Sequence, residues 1–157
     1  MNELNNLLSR LIQTEVEFIV VGGFGAILHG SSYVTRDLDV CAVLTQPNVE
    51  KLRSSLRDLH PTHRHDPNEL SFLDNPAPGT PIRNLYLNTD LGPLDLLSEI
   101  TGVGNFDRVA SRAVEVEMFG HRVRVIGLED LIAAKEALGR DKDLLAAKEL
   151  RAILERR

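Results

Sequence analysis

The chain has no tryptophan, two tyrosines and five phenylalanines among its 157 residues. So small an aromatic supply argues against the stacked-base platforms of single-strand nucleic-acid binders. A single cysteine, Cys41, excludes an intrachain disulfide and fits a reducing compartment, the cytoplasm. Lysine and arginine number 18 against 23 aspartates and glutamates, a formal net charge of −5. A broad nucleic-acid-binding face is normally basic, so this balance argues against one while leaving room for a local basic patch. No apolar run is long enough to span a membrane, and the N-terminus lacks the basic-then-apolar form of a signal peptide. What is left is an ordinary globular composition at a length suited to one domain with a sizeable core, taken as 1–157.

One stretch organises the chain. An apolar run from Phe18 to Val21 stops at Gly22-Gly23. A short apolar segment then ends at His29-Gly30, and a polar turn leads into Asp37-Leu38-Asp39-Val40. This reads as strand, glycine turn, short helix, loop, strand. Side chains alternate along a strand, so Asp37 and Asp39 project to one side, with Cα atoms roughly 6.6 Å apart. Carboxylates that close repel unless a cation lies between them, and oxygen ligands favour a hard ion such as Mg²⁺, with Mn²⁺ as an alternative. Gly22 and Gly23 lack a Cβ, so a phosphate can approach the backbone, where the following helix presents free N–H groups. Together these suggest a site for a metal and a nucleoside triphosphate.

The two glycines, the gap, and Thr35-x-Asp37-x-Asp39 resemble the signature of the polymerase-beta-type nucleotidyltransferase superfamily. The version with Gly-Gly, His-Gly and Thr-x-Asp-x-Asp is similar to its small stand-alone bacterial branch, which includes toxins of abortive-infection toxin–antitoxin pairs. The likeness runs from about Glu15 to about Glu99. Members of that branch often carry arginine two residues before the threonine, where this chain has Tyr33. The resemblance implies an α+β fold: a mixed, mostly antiparallel sheet flanked by helices, with a core over about 1–127 and a short helical part over about 128–157.

The remaining elements follow from periodicity. Leu4, Leu7, Leu8, Leu11 and Ile12 predict an amphipathic helix over 2–14, and Val49, Leu52, Leu56 and Leu59 another over about 48–59, entered at Pro47. Residues 60–83 hold five prolines and three histidines. His60, His63 and His65 match no zinc spacing, and the stretch reads as a polar surface connection with a short strand near 69–73. Residues 83–97 predict a hairpin whose return arm carries one charge, Asp95. A lone aspartate in so apolar a strand is either a hydrogen-bonded core-edge residue or a site carboxylate. In the superfamily a third metal-site carboxylate comes from a strand beside the Asp-x-Asp strand, and Asp95 fits that place. A loop over 98–106, a half-exposed hairpin over 113–126, a helix over about 128–138 and, after a break at Gly139-Arg140-Asp141-Lys142-Asp143, a last helix running to about Glu155 complete the chain. Lys135 and the Gly139-Arg140-Asp141-Lys142-Asp143 turn are similar to a triphosphate- or acceptor-binding feature of relatives. They are equally consistent with a solvated helix face.

By resemblance, Asp37, Asp39 and Asp95 hold two Mg²⁺ ions and carry catalysis. Gly22, Gly23, Ser31, Thr35, Lys135, Arg140 and Lys142 bind the nucleotide. Ser31 and Thr35 serve equally well as loop caps, and Ser32 reads as a cap. His29 reads as a structural contact, and Cys41 as buried core beneath the site. The implied reaction moves a nucleoside monophosphate from an NTP to a hydroxyl of RNA, a protein or a small molecule and releases pyrophosphate. A partner chain is the expected source of any large acceptor-binding surface. The rival readings are an inactive binding module of the same fold, opposed by the presence of all three carboxylates, and an unrelated metal-dependent hydrolase, separated by whether pyrophosphate or free phosphate appears.

Overall fold

The first helix, α1 (Asn2–Gln13), buries Leu4, Leu7, Leu8 and Leu11, the stripe its 3.6-residue period aligns. The computed structural model describes residues 2–157. After α1 come β1 (Phe18–Val21), α2 (Gly22–Leu28), β2 (Leu38–Ala42) and α3 (Gln46–Leu56). Thr45 caps α3, its side chain accepting from the Asn48 N–H, with Pro47 in the first turn. The chain continues through β3 (Thr62–His63), β4 (Asn84–Thr89) and β5 (Gly92–Leu97). Then follow β6 (Glu99–Ile100), β7 (Gly104–Asn105), α4 (Phe106–Ser111), β8 (Val114–Met118), β9 (His121–Val125), α5 (Leu128–Leu138) and α6 (Asp141–Glu155).

Seven strands form one sheet in the order β3-β4-β5-β2-β1-β9-β8. The β2–β5 and β1–β9 pairings are parallel and the other four antiparallel. This is the expected mixed, mostly antiparallel α+β architecture. The central strands are buried throughout: all four residues of β1, and Leu38, Val40, Cys41 and Ala42 of β2. The hairpin β8–β9 at one edge is half exposed, as its alternation of valine with charge predicts.

Two regions depart from the sequence reading. No strand spans 69–73; Ser71 makes an isolated bridge to Thr62, and the paired strand is β3, upstream of it. Among the described residues, only two backbone bonds tie that segment to the chain around β3, from the His63 N–H to the Leu70 carbonyl and from the Phe72 N–H to the Pro61 carbonyl, before it turns away. It is instead fastened by Arg53, buried in α3, which donates to the carbonyls of Phe72 (3.0 Å) and Pro76 (2.7 Å). The expected loop over 98–106 holds the small β6–β7 hairpin and leads into α4, capped by Asn105 accepting from the Arg108 N–H. Arg108 then forks onto buried Asp130 of α5, at 2.9 and 3.0 Å. That pair fixes the first turn of the helix that carries Lys135.

Candidate active site

The sheet register assembles the carboxylates. Val21 of β1 faces Asp39 across an antiparallel ladder, and Asp39 faces Asp95 across the parallel β2–β5 ladder. Asp95 in turn faces Tyr86 of β4. In-register residues on neighbouring strands put their side chains on the same face, so Asp39 and Asp95 stand side by side. Asp37, two residues earlier, shares that face and is exposed at its edge. Cys41 lies two residues further in and is fully buried; burial pushes its thiol up to about 11, so it forms part of the floor.

Gly22 is a steric requirement of this arrangement. It follows the residue opposite Asp39 and turns the chain into α2 at φ +61°, a left-handed conformation. A Cβ there would overlap the Asp39 carboxylate, coming 2.9 Å from its Cβ and 3.0 Å from its Cγ. The space a side chain would fill at Gly22 is thus taken by the aspartate itself. A Cβ on Gly23 would sit 3.1 Å from the side chain of Thr35. Thr35 caps the strand entry: its hydroxyl accepts from the Asp37 N–H (3.3 Å) and lies 3.2 Å from the Asp37 carbonyl. Ser31 and Ser32 both donate their hydroxyls to Glu149 of α6, at 2.6 and 2.7 Å. Both serines therefore anchor the loop to the C-terminal helix. His29 is buried, its Nε2 2.7 Å from the Ile126 carbonyl, and is the structural contact expected.

The electrostatics are uneven. Asp39 is pushed up to about 6, first by burial, then by Asp95 and Asp37, with Lys135 and Arg64 opposing the rise. Oxygen donors crowded together, with their negative charge only partly offset, have the chemistry that suits a hard divalent cation. Among the described residues, no group of three or more His, Cys, Asp or Glu side chains stands close enough to enclose an ion as it is. The histidine-rich segment is no exception: His60 pairs with Asp90, His63 meets the Asn75 carbonyl and the His65 ring packs at a tilt against Tyr86.

Two cavities meet along Asp39, Lys135 and Arg140. One, of about 230 Å³, is lined by Gly23, Ser31, Thr35, Asp37, Asp39 and the three cations Lys135, Arg140 and Lys142. The other, of about 490 Å³, runs past Asp95 and Tyr86 between apolar walls that include Leu97, Ile100, Leu131 and Leu138. Lys135 and Arg140 converge on Asp143, which is 1% exposed. Arg140 forks onto it at 2.6 and 3.2 Å, and the Lys135 Nζ lies 3.8 Å away. Arg140 holds the Asp143 carboxyl below the usual range. The structure thus brings all ten expected site residues around one pair of cavities: Asp39, Lys135 and Arg140 border both, Gly22 and Asp95 only the larger, and Gly23, Ser31, Thr35, Asp37 and Lys142 only the smaller.

Over its whole length, residues 1–157, the chain matches the family described as "Nucleotidyl transferase of unknown function (DUF2204)". The chain belongs to that family. No curated protein matches the sequence. Among solved structures, this nucleotidyl transferase family member is similar to the lincomycin-bound lincosamide antibiotic adenylyltransferase LnuA. The two are 17% identical, with 98% of this chain and 97% of that one covered and a TM-score of 0.64. A putative nucleotidyltransferase from Thermotoga maritima is 17% identical, with 98% and 91% covered and a TM-score of 0.55. The antibiotic-resistance factor ANT(2'')-Ia is 11% identical, with 96% and 90% covered and a TM-score of 0.52. At these identities the likeness establishes the fold, and the family match establishes nucleotidyl transfer as the family's chemistry.

Three features of this transferase family member had no clear signal in the sequence. Arg64, in the turn after β3, donates to Asp95 Oδ1 at 2.6 Å, to the Leu87 carbonyl at 2.8 Å and to Asn88 Oδ1 at 3.2 Å. It stands 31 residues from Asp95, and only the β3–β4–β5 ladder brings the two together. Glu149, the anchor of the Ser31–Ser32 loop, lies on a helix face where a glutamate is unremarkable. Tyr86 belongs to an alternating strand whose two faces cannot be ranked without knowing which one meets Asp95.

Proposed function

We propose that this protein transfers a nucleoside monophosphate from a nucleoside triphosphate to a hydroxyl of a small molecule, with a divalent cation such as Mg²⁺ held by Asp37 and Asp39. The observation that carries this reading is the in-register placement of Asp39 and Asp95 beside a cavity lined by Lys135, Arg140 and Lys142. The cation supplies Lewis-acid polarisation of the phosphoryl group and screens the carboxylates. The triphosphate lies in the smaller cavity, where three side-chain cations and the hydroxyl of Thr35 meet it. The acceptor enters the larger cavity, whose volume and mixed apolar and polar walls match a drug-sized molecule. Asp95 accepts the hydrogen bond of the acceptor hydroxyl and takes its proton as the oxygen attacks the α-phosphorus. The bond from the α-phosphorus to the bridging oxygen breaks, and pyrophosphate leaves along the basic wall. LnuA, named an adenylyltransferase of a lincosamide antibiotic, supports a small-molecule acceptor and an adenylyl group. A toxin role would need a macromolecular hydroxyl to reach Asp95 through the same cavity.

The test is incubation with each of the four NTPs, Mg²⁺ and a panel of hydroxylated small molecules including lincomycin. Pyrophosphate release and a mass gain of one nucleoside monophosphate on the acceptor are expected, and both are lost in Asp37→Ala. Free phosphate without a nucleotidylated product, or full activity in Asp37→Ala, would refute the assignment. Label appearing on RNA or protein instead would replace the small-molecule acceptor with a macromolecular one.

A further inference from the structure

We propose that Arg64 is a built-in cation of the active site, standing against Asp95 where a second divalent ion would otherwise bind, so that the three carboxylates load one ion, on Asp37 and Asp39. This rests on the nucleotidyltransferase reading above and revises the two-ion arrangement that the resemblance implies. Three observations support it. Arg64 is held independently of Asp95: its backbone N–H donates to the Tyr86 carbonyl at 2.8 Å, and its guanidinium to the Leu87 carbonyl and the Asn88 side chain of β4. The pair is shielded, with the Arg64 side chain 24% and the Asp95 side chain 19% exposed, which strengthens a charged hydrogen bond of 2.6 Å. Among the described residues, Asp37 and Asp39 have no cation within salt-bridge distance, whereas Asp95 has one.

An ion entering against Asp95 would have to displace a guanidinium that makes three hydrogen bonds, two of them to β4, or bind beside a positive charge. Coulomb repulsion between an arginine and a divalent ion some 4 Å apart costs about twice that between two unit charges at the same spacing. The arrangement also divides the labour of Asp95. Oδ1 takes Arg64, and Oδ2 has no hydrogen-bond partner among the described residues, which leaves it for the acceptor hydroxyl. Arg64 is therefore a positioning residue: it fixes the rotation of Asp95.

The experiment is electron paramagnetic resonance of the protein with two equivalents of Mn²⁺ and one of an ATP analogue whose α and β phosphates are joined by methylene. Two ions bridged in a transferase site lie about 3.5–4 Å apart and give a spin-coupled spectrum, whereas one ion gives an isolated six-line signal. Wild type and Arg64→Lys are expected to show the isolated ion, and Arg64→Gln the coupled pair, a change from one ion to two. Asp95→Asn is expected to keep the wild-type spectrum, since the ion does not depend on Asp95; this arm stands even where Arg64→Gln fails to fold. A coupled pair in wild type overturns the proposal, as does an isolated ion in a folded Arg64→Gln or loss of an ion in Asp95→Asn. No protein-bound Mn²⁺ in wild type would instead refute the metal–nucleotide reading on which the proposal rests.

Discussion

Replacing Asp39 with asparagine should stabilise the metal-free protein while removing its activity. The Asp39 carboxyl rises from 3.8 to about 6, with burial as the largest cause and Asp95 and Asp37 adding to it. Its folded pKa lies above its unfolded one, so the folded state binds more protons between those values. Folding stability therefore falls as pH rises through this window, and the whole penalty stands above about pH 6. A difference of about 2 in pKa corresponds to about 3 kcal/mol at 1.36 kcal/mol each. Partial access of water to Asp39 brings this to about 2 kcal/mol. For a chain of this size each kcal/mol moves the melting temperature by about 2–4 °C, so Asp39→Asn should melt about 4–8 °C above wild type near pH 7. Below about pH 4 the two should melt together, because Asp39 is then protonated in both states. Thermal melts of both proteins in chelator across this pH range measure the gap. Saturating Mg²⁺ should raise the wild type and leave the variant nearly unmoved. A variant that melts at or below wild type near pH 7 would refute the claim that this carboxylate carries uncompensated charge.

Gly22→Ala should lose transfer activity and about 2 kcal/mol of stability, since a left-handed backbone costs an alanine about 1–2 kcal/mol and the new methyl overlaps Asp39. Thermal melts and pyrophosphate release check both, and an active, undisturbed variant would contradict the steric argument. Glu149→Gln keeps the shape but weakens the two serine hydrogen bonds. Hydrogen exchange in residues 31–36 should quicken while global stability falls by only about 1 kcal/mol. Burial pushes the pKa of His29 down. The unfolded chain then takes up a proton that the folded one refuses, and stability contributed by neutral His29 is lost as pH falls below about 6.5. His29→Gln should flatten that decline in a pH series of melts.

The fold was legible where pattern and period were strong. The Phe18–Val21 run, the alternation of Val114–Val125 and the leucines of α1 each announced their element, because burial on one face leaves a periodic trace in sequence. The segments 60–83 and 98–111 were not legible. Their structure depends on distant partners, Arg53 reaching into the first and Asp130 receiving Arg108 from the second, and no local pattern encodes a contact 19 or 22 residues away. The site follows the same division. Asp37 and Asp39 declared themselves by spacing, and Asp95 by being the one charge in an apolar arm. Arg64 did not, because its partner is set by the sheet order β3-β4-β5 and by nothing near it in the chain.

Asp143 gives the basic wall a property of its own. With Arg140 forked onto it and Lys135 within 3.8 Å, two of the three cations in the smaller cavity already have an anion of their own. An incoming ligand has to share them with a carboxylate that cannot leave. An anion with one charge gains little from such a contest, whereas a triphosphate brings several oxygens to bear at once and also reaches Lys142. On the proposed reading, the wall works as a charge threshold: it holds a nucleoside triphosphate and passes over anions of lower charge that compete for the same cavity.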